Sequence, residues 1–365
     1  MTAARALRRS GLVAALAVLS ACGGTREEHA GAAVPRPERP PPPLEPASPE
    51  PASSAPPAPS APPSAAAAAA APAPASRGAF PPPRFDPPVV RTARPGDGAW
   101  SVDARARSPK DGPPAVYTAV VHPHPIKPFV EVAVVALDLE RVALRLVAGT
   151  EEPESKTVPR DRRTGLVAPE DMAGLVAVWN GGFKARHGGF GMRIGPDRYV
   201  PPRDEACVVL LAEDGGVRIG SWAGLSSEER RAFASRQTPP CLVEAGSLHA
   251  DLDSEPGAKK WGAAEGGARD IRRSAVGLDA SGRTLFYAMG EWTTARDLAV
   301  AMRAAGAAVA AELDINWSFT FFVFFGDAGG KPEARGTLLP KTKAPSRGFV
   351  DKPVHRDFFY VAWRR

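Results

Sequence analysis

The chain has 365 residues and a mass of 38.3 kDa, and 22 of its 41 prolines lie within residues 31–100. About 270 residues remain beyond residue 95 to build a core. An apolar content of 44% excludes a wholly disordered chain, and no apolar run reaches the roughly 18 residues of a membrane-spanning helix. The net charge of +6 falls to +3 without Arg5, Arg8 and Arg9, so no nucleic-acid partner is expected.

Residues 1–21 have the parts of a secretory signal peptide: a basic stretch, a short apolar run over residues 11–19 and small residues before a cysteine. The ending Leu19-Ser20-Ala21-Cys22 resembles the bacterial lipobox, whose cysteine is diacylated and becomes the first residue of the mature protein. The resemblance implies a lipoprotein anchored to the cell envelope through Cys22, an ordinary secreted protein being the alternative. Gly23, in place of aspartate, resembles lipoproteins of the outer membrane.

Residues 22–95 are rich in proline and alanine and lack apolar periodicity. This composition predicts a disordered tether, which in an extended form could reach at most about 200 Å. The folded domain is expected to span residues 96–365.

Two cysteines remain after Cys22, namely Cys207 and Cys241. In an oxidising export compartment they could form a disulfide, although spacing alone does not show that they approach each other. The alternative is two buried, inert thiols.

Short apolar segments bounded by Gly, Pro or charged residues predict strands in the first half of the domain. These are residues 115–121, 129–137, 142–147, 175–179, 207–211 and 217–219. The second and third are expected to form one hairpin, and the last two another with a Gly-rich turn. A short polar helix is expected over residues 226–235 and a surface loop over residues 248–270.

In the second half of the domain the sequence predicts a hairpin of residues 275–278 and 284–289, then a helix, and a last strand over residues 358–363. The helix begins after Thr294, which has capping-box spacing to Asp297 three residues on, and Gly306 closes it. Many strands and few helices indicate an α+β domain with a mixed, mainly antiparallel sheet and a few packed helices.

Residues 311–321 alternate strictly between apolar and polar, which is typical of a strand. On an extended backbone Glu312, Asp314 and Asn316 would share one face, with the Cα atoms of the two acids about 6.5–7 Å apart. Two carboxylates at that spacing could serve as general acid and as base or nucleophile at a sugar centre. The alternative is a strand with one wet face, whose acids are merely solvated.

Three pieces of the chain, in order, resemble the phosphodiester glycosidase family. Residues 178–183, Val-Trp-Asn-Gly-Gly-Phe, are similar to the family's strand that ends in an Asn-Gly-Gly-Phe turn. Residues 273–277, Arg-Ser-Ala-Val-Gly, resemble its Arg-Thr-Ala-x-Gly segment, and residues 294–306 and 311–320 resemble a helix leading into Leu-Asp-Gly-Gly-Gly-Ser-Ser-Thr. The match covers roughly residues 129–323.

This resemblance implies an envelope-tethered hydrolase that cleaves a sugar-phosphodiester linkage in a glycopolymer or glycoconjugate. Asp314 is the acid that the resemblance fixes, and Glu312 is a second catalytic candidate because it shares the predicted face. Arg273 could hold a phosphate through two parallel N–H···O bonds, the alternative being an ion-paired or surface arginine.

Further candidate substrate contacts lie in the matched segments. Asn180 could donate its amide to a sugar hydroxyl or a developing anion, with Gly181 and Gly182 admitting the ligand to the backbone. A turn needed only for backbone reasons is the alternative. Asn316 and Ser318 are two further candidates for substrate binding.

The chain departs from the family where Ile315, Asn316 and Trp317 replace three glycines. Isoleucine does not easily adopt a positive φ, so we expect a strand in place of the family's glycine loop. This change would reshape the family's pocket. The alternative function is therefore a non-catalytic glycan-binding lipoprotein that keeps the scaffold. No cofactor or metal site is expected, since the His122 and Asp251 regions lack a full ligand set.

Overall fold

The computed structural model describes residues 78–106, 112–264, 266–340, 342–343 and 348–365. The predicted signal peptide, Cys22 and most of the predicted tether lie outside these residues. The strands are β1 (Ser101–Val102), β2 (Val116–Val121), β3 (Val132–Asp138), β4 (Val142–Val147), β5 (Leu175–Asn180), β6 (Met192–Ile194), β7 (Asp197–Val200), β8 (Cys207–Leu211), β9 (Val217–Ser221), β10 (Ala234–Thr238), β11 (Val243–Glu244), β12 (Ser247–Leu248), β13 (Ile271–Leu278), β14 (Thr284–Thr293), β15 (Val309–Ile315), β16 (Phe322–Ala328), β17 (Lys331–Thr337) and β18 (Phe358–Trp363).

The helices are short. They are α1 (Trp222–Leu225), α2 (Glu255–Ala258) and α3 (Ala295–Ala304), with 3₁₀ turns at Arg160–Arg162, Pro169–Gly174, Ser226–Glu228, Ala250–Asp253 and Lys259–Trp261. No helix in the described part of the chain combines the length and apolarity needed to cross a membrane.

Within the described residues these strands form three sheets. The large sheet has the order β1-β2-β3-β14-β13-β15-β11-β12, the second sheet β7-β6-β10-β8-β9 and the third sheet β17-β16-β5-β18-β4. Neighbouring strands are antiparallel in all three, as along β3, β14 and β13. The prediction of an α+β domain with mainly antiparallel sheets is therefore confirmed.

The large sheet has a core on each face, because side chains alternate along its strands. On β14, Phe286 and Ala288 pack with α3 in one core. Tyr287 and Met289 point to the other face and pack against residues of the second and third sheets. The large sheet is thus the middle layer between α3 and the two smaller sheets.

Several local predictions are confirmed. β13 pairs with β14, and β8 pairs with β9, as two hairpins. α3 has a complete capping box, in which Thr294 Oγ1 accepts from the N–H of Asp297 and the Asp297 carboxylate accepts from the N–H of Thr294. Cys207 and Cys241 form a disulfide that ties the start of β8 to the segment after β10.

The expected hairpin of residues 129–137 and 142–147 is wrong. β3 is flanked by β2 and β14 in the large sheet, so no edge of it remains for β4. β4 instead pairs with β18 in the third sheet. The turn between β3 and β4 therefore carries the chain from one sheet to another.

Two further expectations need correction. The segment 226–235 is helical only over Ser226–Glu228, and its end joins β10. The segment 248–270 is not simply a surface loop, since Trp261 within it is fully buried and donates from Nε1 to the Pro240 carbonyl at 2.8 Å.

The expected domain boundary at residue 95 comes too late. The Phe80 ring lies against that of Tyr117 with centroids 5.6 Å apart. The backbone N–H of Phe85 donates to the Gly98 carbonyl, and Arg283 donates to the carbonyl of Gly78. Aromatic residues among the prolines thus fix residues 78–95 to the domain.

Candidate active site

The segment after β15 is a turn and not a continuing strand. Strand β15 ends at Ile315, and Asn316 Oδ1 accepts hydrogen bonds from the backbone N–H groups of Ser318 and Phe319. An asparagine that binds the backbone two and three residues ahead stabilises a turn. Trp317 and Phe319 are consequently exposed. The strand predicted to run to residue 321 therefore ends at Ile315, and that prediction is wrong beyond this residue. The following segment forms a loop although it lacks the three glycines of the family that the sequence resembles.

Glu312 and Asp314 have different surroundings, because β15 carries a bulge between them. Ala275 lies opposite Glu312 and Arg273 opposite Ile315, so two residues of β15 face one residue of β13. A bulge of this kind breaks the alternation of side chains. The two acids accordingly form ion pairs with different arginines.

Glu312 and Arg273 form a buried ion pair in the core. Arg273 Nη1 lies 2.7 Å from Glu312 Oε1, and both side chains are at most 1% exposed. The remaining donors of Arg273 bind backbone carbonyls, including those of Thr293, Gly262 and Arg269. Arg273 thus has no donor left for a phosphate, and its expected role is wrong for that reason.

Burial raises the pKa of Glu312 to about 7, although Arg273 opposes the shift. Its Oε2 is buried without a hydrogen-bond partner among the described residues. Glu312 therefore contributes to the core and does not reach a pocket. The expectation that it acts beside Asp314 at a substrate is corrected accordingly.

Asp314 is instead held at the edge of two pockets by Arg356. Arg356 Nη1 lies 2.8 Å from Asp314 Oδ2, which also accepts from Asn316 Nδ2 at 2.5 Å. Burial raises the pKa of Asp314, while Arg356 and Asn316 act in the opposite direction. The nearby carboxylate of Asp357 adds to the rise.

Arg356 also holds the walls of the pockets together. Its Nη2 donates to the Gly182 carbonyl at 3.0 Å, and its guanidinium lies 5.1 Å from the centre of the Phe319 ring. Arg356 thereby links Asp314, the turn after β15 and the turn after β5. The arginine beside the candidate catalytic acid is therefore Arg356, in the place expected for Arg273.

Asn180 joins three strands and has no amide hydrogen to spare. Its Nδ2 donates to Ser274 Oγ and to the Gly181 carbonyl. Its Oδ1 accepts from the hydroxyl of Tyr287 and from the N–H of Phe321. Although Asn180 lines a pocket, its amide serves the fold, which is the alternative noted from the sequence.

Glycine is needed at positions 181 and 182 because other side chains of the protein leave no room for a Cβ there. Neither residue has a positive φ. A Cβ at Gly181 would lie 2.1 Å from Asp357 Oδ2, and one at Gly182 would lie 2.8 Å from the Arg236 guanidinium. Asp357 Oδ2 accepts from the N–H of Gly182 and from Arg236 Nε. The two glycines line a pocket, but the groups that approach them most closely belong to the chain itself, and their contact with a ligand stays a prediction.

Two pockets meet at Asp314 and Arg356. The first, here called the front cleft, has a volume of about 1200 Å³ and also contains Asn316, Ser318 and Trp317. Its charged walls have more cations than carboxylates among the described residues: Lys184, Arg186, Arg203, Lys259, Lys260 and Arg356 against Glu205, Asp270 and Asp314.

The second pocket, here called the rear pocket, has a volume of about 620 Å³. It shares Asp314, Ser318, Phe319 and Arg356 with the front cleft. Its other charged and apolar walls include Lys343, Lys352, Asp357, Phe321, Phe349 and Val354. A ligand that occupied both pockets would therefore cross the Asp314–Arg356 pair.

Sequence reasoning missed Arg356, Asp357 and Arg236. A signal for the first two was present, since His355-Arg356-Asp357 directly precedes the aromatic strand β18. Charged residues at the end of a buried strand are candidates for a site at the sheet edge. Within the described residues, no three His, Cys, Asp or Glu side chains are grouped as metal ligands.

Comparison with known proteins finds similarity among solved structures. No family model and no curated protein matches the chain. The catalytic domain of zebrafish N-acetylglucosamine-1-phosphodiester alpha-N-acetylglucosaminidase, auto-inhibited by its pro-peptide, has 14% identity and a TM-score of 0.42 over 71% of this chain and 87% of that chain.

Two other solved structures are similar at a lower level. A hypothetical protein from Synechocystis has 13% identity and a TM-score of 0.37, covering 70% of this chain and 64% of its own. A putative exported protein from Burkholderia pseudomallei has 13% identity and a TM-score of 0.26, covering 64% and 74%. Similarity at this level assigns no site residue, so the functional argument rests on the geometry of this chain.

The buried Arg273–Glu312 pair leads us to predict how stability depends on pH. In Arg273→Ala, Glu312 loses its cation, so its pKa should rise above about 7. Folding then favours the protonated acid, and stability is lost as the pH rises through that pKa. We expect a loss of about 3–5 kcal/mol at pH 9 and a smaller loss at pH 6, measured by urea unfolding.

The matched control is the double variant Arg273→Ala/Glu312→Gln, which lacks the carboxyl group. Its free energy of unfolding should change between pH 6 and pH 9 less steeply than that of Arg273→Ala. If the free energy of unfolding depended equally on pH in the two variants, Glu312 would not be the group that titrates.

Proposed function

We propose that the protein is a hydrolase that cleaves a glycosyl phosphodiester, with Asp314 acting at the sugar and Arg356 binding the phosphoryl group. The observation that carries the proposal is that Asp314 and Arg356, 2.8 Å apart, line both pockets. The linkage between two substrate groups would lie at this pair. A carboxylate and a guanidinium are suited to an anomeric carbon and to phosphate oxygens, respectively.

The charges of the pockets favour an anionic substrate. The front cleft carries the excess of cations described above, and the rear pocket adds Lys343 and Lys352. Clefts lined by one sign of charge concentrate ligands of the opposite sign. A phosphodiester supplies that charge and places it at the bond to be cleaved.

The chemistry requires one carboxylate in its charged form. Asp314 takes a proton from the water that attacks the anomeric carbon, or it attacks this carbon itself and water then hydrolyses the resulting glycosyl–enzyme bond. The bond between the anomeric carbon and the phosphate oxygen breaks, and the oxygen keeps the electron pair. The products are the free sugar and a phosphate monoester, whose negative charge Arg356 stabilises. A phosphate monoester is a weak base, so its departure does not need a general acid.

Replacing the acid tests the proposal. The purified protein is assayed with N-acetylglucosamine-1-phosphodiesters and with chromogenic glycosyl phosphodiesters. Asp314→Asn should reduce sugar release at least a hundredfold, because it removes the charged group but keeps the shape.

The matched control is Asp253→Asn, since Asp253 is exposed and lines neither pocket. It should retain parental turnover. Turnover by Asp314→Asn equal to the parent would contradict the proposal. A folded parent that binds glycans but releases no sugar would favour the non-catalytic binding protein.

The pH profile gives an independent prediction. Since burial raises the pKa of Asp314, kcat/KM should fall at a pH above the usual range for aspartate as the solution is acidified. Arg356 lowers this pKa, so Arg356→Gln should move the acid limb to higher pH as well as reduce the rate. A limb that stays in place or moves to lower pH in Arg356→Gln would exclude Asp314 as the titrating group.

We further propose that the protein is lipidated at Cys22 and held in the bacterial envelope, in the outer membrane. The support is the sequence Leu19-Ser20-Ala21-Cys22 after a short apolar run. Cells grown with a labelled fatty acid should incorporate the label into the parent but not into Cys22→Ser. Equal labelling of both forms would exclude Cys22 as the acceptor.

A further inference from the structure

Two exposed tryptophans lie in contact in the front cleft. Trp292 is 53% exposed and Trp317 is 39% exposed, and both line the cleft. Their ring centroids are 4.9 Å apart, with the ring planes inclined at 59°. Single exposed hydrophobic residues are ordinary, but two adjoining indoles in a cleft indicate a binding surface.

The chain holds this pair in place. Arg272 Nη1 donates to the Trp317 carbonyl at 2.6 Å, and its guanidinium lies 5.4 Å from the Trp317 ring centre. Its Nη2 is bound by Glu291, the neighbour of Trp292. Trp292 itself has a φ of 56°, a strained conformation for a residue with a side chain. Such a pair is organised before a ligand arrives, which lowers the entropic cost of binding.

The setting of the pair favours a sugar over an extended apolar partner. A sugar ring has an apolar face of C–H groups and an edge of hydroxyl groups, so it needs flat apolar area next to polar groups. Asn316, Lys259 and Lys260 line the same cleft and provide hydrogen-bonding groups. Two indoles among charged side chains form a smaller apolar patch than a specific protein–protein interface needs.

The tryptophans also lie at a useful distance from the candidate catalytic acid. Trp317 follows Asp314 by three residues, so their Cα atoms are at most about 11 Å apart. Asp314 and both tryptophans line the front cleft, so a second or third sugar of a chain bound at Asp314 would be within reach of Trp317.

We propose that Trp292 and Trp317 bind a sugar ring beyond the one attacked, and that the substrate is an oligosaccharide or glycopolymer carrying the phosphodiester. The position of the cut relative to the tryptophans rests on the proposed function. The binding of the glycan does not. The pair is therefore a specificity determinant for chain length.

The test compares N-acetylglucosamine with its hexamer, together with glucose, cellohexaose and maltohexaose. Binding to the full chain is followed by tryptophan fluorescence and calorimetric titration. At least one hexamer should bind the parent tenfold or more tightly than its monomer. Trp292→Ala and Trp317→Ala should each weaken that binding about tenfold.

The matched control is Phe233→Ala, which removes an exposed aromatic ring that lines neither pocket. It should bind the hexamer like the parent. The proposal is overturned if all three hexamers bind the parent no more tightly than their monomers. It is also overturned if both tryptophan variants bind the hexamer like the parent.

A separate arm uses vesicles of phosphatidylglycerol and phosphatidylcholine. If the tryptophan variants lose vesicle binding while no hexamer binds, the pair contacts membranes and the glycan proposal is wrong. Asp314→Asn separates the glycan-binding proposal from the hydrolase proposal, since it should lose hydrolysis but keep hexamer binding. Hydrolysis of short phosphodiesters without hexamer preference overturns the glycan surface alone.

Discussion

The geometry of the site depends on one buried ion pair, Arg236 with Asp357. The two side chains are fully buried and 2.9 Å apart. Arg236 belongs to β10 of the second sheet, while Asp357 directly precedes β18 of the third sheet. Arg236 also donates to the Phe183 carbonyl, and Asp357 accepts from Gly182, so the pair fixes the turn after β5. A buried pair of this kind contributes more to position than to stability, because desolvation offsets much of the attraction.

This constraint reaches Asp314 through the chain itself. Arg356 is the residue before Asp357, so fixing Asp357 fixes the backbone from which Arg356 extends to Asp314. Asp314 comes from the large sheet, so Asp357 and Arg356 connect residues of all three sheets. The second buried pair, Glu312 with Arg273, is two residues away along β15 but belongs to the core. One bulge in β15 separates the acid that is buried in the core from the acid that lines the pockets.

Local patterns predicted much of the fold because they depend on neighbouring residues. The capping box at Thr294 and the hairpins β8–β9 and β13–β14 are examples. Sheet membership was not predictable, as β3 and β4 show, since it depends on which distant strands occupy each edge. Asp314 was proposed from the resemblance, whereas the regular alternation of apolar and polar residues gave no sign of the bulge or of the Asn316 turn. Arg356 was missed because its partner is 42 residues away in sequence.

A crystal structure of Asp314→Asn with an uncleaved N-acetylglucosamine-1-phosphodiester would show directly where the diester binds. We expect a phosphoryl oxygen within hydrogen-bond distance of Arg356, about 3 Å, and the anomeric carbon beside residue 314, with the two substrate groups in the two pockets. A diester bound away from Arg356, or lying wholly within one pocket, would contradict this expectation.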